Sequence, residues 1–105
     1  MRRGDVYQFK LPKRIGYEQH GNRFGVVVQA DELLPRSVVL VAPMSRRARH
    51  ASFRPEIDLD GDTTRVLVEQ LGAVDVSRLG DLAGHLTREE LWVVDDALMT
   101  VLGLR

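Results

Sequence analysis

Short runs rich in valine, leucine, isoleucine and aromatic residues recur through residues 5–76, separated by glycine, proline or charged residues. The segments "DVYQF" (5–9), "FGVVVQA" (24–30), "SVVLVAP" (37–43), "PEIDLD" (55–60), "TRVLVEQ" (64–70) and "GAVDV" (72–76) have the length and composition of β-strands. Asp60-Gly61 lies between two alternating runs, and both residues tolerate the positive φ that a tight hairpin turn requires, so a hairpin is predicted there.

Near the C-terminus the period changes. Leu91, Val94, Leu98, Val101 and Leu102 recur at intervals of three and four and align on one helical face. Thr87 followed by Glu90 has the capping-box spacing, and Gly103 stands where a helix end favours glycine, so one helix is predicted over residues 88–102. Trp92 and Met99 flank the apolar stripe and are expected to pack in the core rather than to meet a partner. No repeat or linker interrupts the pattern, which predicts a single domain over residues 1–105, mainly β with one α-helix.

Two segments stand outside these elements. Residues 10–23 form a long connection, and connections above about 12 residues without structure of their own are commonly functional or disordered. Residues 44–54, "MSRRARHASFR", carry Arg46, Arg47, Arg49 and Arg54 and no acid. Guanidinium groups stay charged and present planar forks of donors that fit phosphate, although a merely solvated loop would look the same. Phe53 among them is either a base-stacking platform or a plug over the core.

Charge sharpens this picture. The net charge is zero, yet residues 1–54 hold 11 Lys+Arg against 4 Asp+Glu, and residues 55–105 hold 4 against 11. Such asymmetry points either to a polyanionic partner for the basic half or to neutralisation of one half by the other within the fold.

Several classes of chemistry find no support. The chain has no cysteine, which excludes disulfides, thiolate nucleophiles and cysteine-based zinc sites and fits a reducing compartment; a cytoplasmic protein is expected. There is no apolar stretch of about 18 residues and no signal-peptide core, so no membrane segment is expected. Gly-rich phosphate loops, HExxH and GxSxG are absent, and His20, His50 and His85 lack zinc spacing. "DLDGD" has Thr63 where a calcium loop needs glycine, and no metal or cofactor is expected. RNA cleavage needs neither, because the 2′-hydroxyl is the nucleophile. Such a site requires only proton transfer and positive charge on the transition state.

In order and spacing, "RRGDVY", "GYEQHGNR" before an apolar strand, "VAPMS", "VEQLGAVD" and "RLGDLAGHLTREEL" before a final helix resemble the MazF/PemK (Kid) endoribonuclease toxins of type II toxin–antitoxin modules. The resemblance spans nearly the whole chain. It implies an SH3-like small β-barrel with a C-terminal helix, a homodimer, and metal-independent, sequence-specific cleavage of single-stranded RNA that inhibits translation and growth. It also implies a cognate antitoxin with an acidic or amphipathic C-terminal segment.

By the same resemblance Arg23 takes the position of the catalytic arginine, and Ser45 that of the hydroxyl residue of a "P-x-T/S" motif that helps hold the phosphate. Glu18, Gln19 and Gln70 match positions of RNA contact. His20, in the same loop, is either a proton-transfer group or simply solvated, and Arg46, Arg47 and Arg49 are expected to meet RNA phosphates. The chain departs from the family at Phe24 and Gly25, where Pro followed by Val or Ala is usual. The alternatives are a CcdB-like gyrase inhibitor of the same fold and a noncatalytic barrel that binds nucleic acid or antitoxin.

Overall fold

A computed structural model describes residues 1–10 and 23–104. Among these residues, seven strands make one antiparallel sheet: β1 (Asp5–Phe9), β2 (Phe24–Val27), β3 (Val38–Ser45), β4 (Glu56–Leu59), β5 (Asp62–Val66), β6 (Gly72–Asp75) and β7 (Leu79–His85). Their order is β4-β5-β3-β2-β1-β7, with β6 also on β3. One helix, α1 (Arg88–Leu102), follows. The six predicted strands are present, although β5 ends at Val66 and the remainder of "TRVLVEQ" forms a short 3-10 turn, Val68–Gln70. β7 was not predicted as a strand: Gly80 and Gly84 dilute its pattern, and pairing with β1 supplies what local propensity lacks.

The long strand β3 organises the sheet. Along one edge it pairs with β2 from Val41 to Met44; along the other it pairs with β6 through Val38–Val41 and with β5 through Met44–Ser45. Two register shifts between β1 and β7 bend the ladder. Irregularities of this kind add twist, and the sheet curls into a half-barrel.

Side-chain alternation divides the apolar residues into two clusters. Val26, Ala42, Met44, Ile57, Val66 and Val68 meet Leu86, Val94 and Ala97 of the helical end. Val27, Val39, Val41 and Leu79 form a second cluster with Tyr7 and Phe9 packed against it. The helix covers the first cluster, and its bounds are those its capping residues predict. Thr87 accepts a hydrogen bond from the Glu90 N–H while Glu90 reaches back to the Thr87 N–H, and Gly103 closes the last turn at φ 68°.

Of the predicted stripe, Leu91, Val94, Leu98 and Val101 pack against the sheet, whereas Leu102, in the last turn, is exposed. Nor do Trp92 and Met99 pack there: they are 60% and 42% exposed. The helix lies on the sheet along a strip narrower than its apolar surface, so the flank that carries them faces outward. The Asp60-Gly61 turn forms with φ 52° and 84°, and Arg3 ties the N-terminus to α1 through a 2.8 Å ion pair with Asp95.

Candidate phosphate-binding site

Arg23 immediately precedes β2, and its carbonyl accepts the Phe9 N–H at 2.8 Å, which anchors its backbone to β1. Phe24, in the family's proline position, is held in the ladder between Gln8 and Met44. Strand pairing on both sides thus supplies the backbone restraint that proline would impose through its ring. The β2–β3 ladder ends at Phe24↔Met44, and Arg23 and Ser45 are the next residues along the two chains.

From there a row runs across the sheet, with Ser45 opposite Arg65 and Arg65 opposite Glu56. Directly opposed residues of antiparallel strands project from the same face. Ser45, Arg65 and Glu56 therefore share one face at one rim, the face of the second cluster and away from α1. The Ser45 Oγ accepts the Arg47 N–H at 3.1 Å, which leaves the hydroxyl proton available to another acceptor.

The arginine-rich connection is tied down by acids of β5 and of the Val68–Gln70 turn. Arg46 pairs with Asp62 at 3.1 Å. Arg54 donates from Nε (2.9 Å) and an Nη (2.7 Å) to one oxygen of Glu69, and from its other Nη to the Arg49 carbonyl. Arg65 spans the Ala48 carbonyl at 3.1 Å and Glu56 at 2.6 Å. Both Arg46 and Arg54 lie in the basic half and find acids in the other, so part of the charge asymmetry is neutralised within the fold. The Arg46–Asp62 pair is exposed on both sides, and such a pair contributes at most about 1 kcal/mol and exchanges readily. Among the described residues, Arg23, Arg47 and Arg49 have no side-chain ion pair. Phe53 packs on the first cluster with Arg54 above its ring at 5.8 Å, so it is a plug over the core.

The predicted residues are only partly brought together. Arg23 and Ser45 both adjoin the Phe24↔Met44 end of the β2–β3 ladder, with Arg46 and Arg47 following directly on Ser45. Gln70 is exposed at the end of the Val68–Gln70 turn, where β3 changes partner from β5 to β6, outside the cross-strand row. Glu18, Gln19 and His20 lie outside the described residues. Sequence reasoning missed Arg65 and Glu56, which only the β3–β5–β4 register aligns with Ser45. It also missed Glu69, whose second carboxylate oxygen is buried without a hydrogen-bond partner among the described residues.

A curled antiparallel sheet closed by one helix, with a serine and several arginines near one rim, defines a small β-barrel fold. The comparisons give the class its family. Residues 2–102 match the model of the PemK-like, MazF-like toxins of type II toxin–antitoxin systems, and the chain belongs to that family. A candidate toxin of Mycobacterium tuberculosis, Rv3098A, is 40% identical over 105 residues, covering 97% of both chains.

Solved structures share the fold. The Mycobacterium tuberculosis toxin MazF-mt6 superposes with a TM-score of 0.79 at 17% identity, over 96% of this chain and 98% of that one. A mycobacterial endoribonuclease in complex with its cognate antitoxin gives 0.78 at 21% identity, over 100% and 97%. MazF from Deinococcus radiodurans gives 0.77 at 21%, over 98% and 96%. Among the described residues, no helix is long and apolar enough to cross a membrane.

Proposed function

We propose that this toxin is a metal-independent, sequence-specific endoribonuclease that cuts single-stranded RNA and so inhibits translation and growth. The observation that supports the reading is the β2–β3 register, whose last pair, Phe24↔Met44, adjoins Arg23 and Ser45. In this reading the scissile phosphate lies between them. The RNA 2′-oxygen attacks phosphorus, the bond to the 5′-oxygen breaks, and that oxygen takes up a proton. The products are a 2′,3′-cyclic phosphate and a 5′-hydroxyl.

Arg23 neutralises the charge that builds on the non-bridging oxygens, and the Ser45 hydroxyl donates to one of them. A guanidinium is not deprotonated in a protein, so Arg23 supplies charge rather than a proton. Glu18 and His20 are the candidates for moving protons. Arg46, Arg47 and Arg49 hold flanking phosphates, and Gln19 and Gln70 contact RNA. The protein acts as a homodimer, and an acidic or amphipathic antitoxin segment covers the same basic surface. The solved complex of a structurally similar endoribonuclease with its antitoxin supports a partner of that kind.

The test is incubation of the protein with a long single-stranded RNA in EDTA, beside Arg23→Ala, with the cut ends mapped. Discrete cuts with cyclic-phosphate ends that vanish in the folded variant are expected. RNA left intact by the folded wild type would refute the reading and favour a toxin that acts by binding alone.

A further inference from the structure

Arg65 belongs to no motif, yet the sheet places it opposite Ser45. Arg23 and Arg65 are two strands apart, about 9.5 Å at the backbone, with Ser45 between them. Arg23 and Arg65 therefore stem from the chains on either side of Ser45.

Arg65 is only partly committed. One Nη holds the Ala48 carbonyl, which tethers the arginine-rich loop, and the other meets Glu56 at 2.6 Å. Its buried Nε donates to no acceptor among the described residues. The carboxylate thus occupies one tine of a fork that favours bidentate ligands. Glu56 is 51% exposed while Arg65 is 20% exposed, so the acid can swing into solvent and leave the guanidinium fixed in place.

We propose that Arg65 is a phosphate-binding residue of the Arg23–Ser45 site, and that Glu56 is the resident counter-ion RNA displaces to reach it. The proposal rests on the endoribonuclease reading. Glu56 then competes with substrate and sets affinity: a weakly bound acid keeps the arginine extended and desolvated without RNA, at the cost of an exchange on binding.

The experiment measures binding of a short, fluorescein-labelled, mixed-sequence RNA pool, 2′-O-methylated to block cleavage, across a salt series. Glu56→Gln should bind about two- to fivefold more tightly, the scale of one part-exposed ion pair. Arg65→Gln should bind about tenfold more weakly, and its slope of log K against log salt should fall by about 0.7, the value for one phosphate contact on a single strand. Arg65→Lys should keep the slope. In the Arg65→Gln background the Glu56→Gln gain should disappear, which a purely structural pair would not produce.

Circular dichroism and the unfolding midpoint check that each variant folds. Should Arg65→Gln fail to fold, Glu56→Gln decides alone, and unchanged or weaker binding by it overturns the proposal. A wild type that binds and cuts RNA while folded Arg65→Gln matches it in affinity and slope also overturns this proposal alone. A wild type that neither binds nor cuts removes the reading beneath it, and the proposal with it.

Discussion

Gly25 is buried two residues after Arg23, on the same face, and an added methyl there has nowhere to go. An ideal Cβ would stand 2.5 Å from Val41 Cγ1 and 2.8 Å from two carbons of the Phe9 ring. Carbon pairs are comfortable at about 3.5–4.0 Å, so both neighbours would have to give way by about an ångström. Val41 is buried and stiff at χ1, which leaves the strands themselves to separate. Overpacking of this kind costs about 1–3 kcal/mol. For a chain of 105 residues that corresponds to about 4–8 °C in the unfolding midpoint per kcal/mol.

The prediction is that Gly25→Ala lowers both the thermal and the urea midpoint with an unchanged m-value, at matched protein concentration because association would shift the apparent stability. Val41→Ala by itself opens a cavity and also destabilises, by about 2 kcal/mol. Together the two changes should cost at least about 1 kcal/mol less than their sum, since the smaller residue admits the new methyl. A Gly25→Ala variant as stable as wild type, or costs that simply add, would show that the contact at Gly25 is not what makes glycine necessary here.

Further outcomes follow from single residues. Ser45→Ala should fold normally and lose most RNA cleavage, whereas Ser45→Thr, which keeps the hydroxyl, should retain it; mapping RNA cuts by both variants checks this. Thr87→Ala removes the side chain that caps α1 and should lower stability by about 1 kcal/mol in urea unfolding. The Tyr7 phenol is raised above its ordinary value of 10.0, first by burial and then by the Asp5 charge. A group whose folded pKa lies above its unfolded one stabilises the fold below the unfolded value and loses that contribution as pH rises through the folded value. Stability should therefore fall above about pH 10, and Tyr7→Phe should remove this part of the alkaline loss in unfolding measured as a function of pH.

The helix and most strands were legible because their signals are local. Thr87, Glu90 and Gly103 bracket α1, and Asp60-Gly61 specifies its hairpin through positive φ, whatever the rest of the chain does. Arg23 and Ser45 were singled out from short motifs, one just before β2 and one at the end of β3. Other features depend on partners distant in sequence. β7 forms against β1 despite its glycines, and Trp92 faces outward because of the path α1 takes across the sheet. The charge imbalance was plain along the chain, but which arginines spend their charge internally was settled by where the β4–β5 hairpin and the Val68–Gln70 turn place Asp62, Glu56 and Glu69. Arg65 shows the limit most sharply: nothing around "TTRVL" marks it. It faces Ser45 because β3 pairs with β5 in one register, and a shift of one residue would turn it to the opposite face.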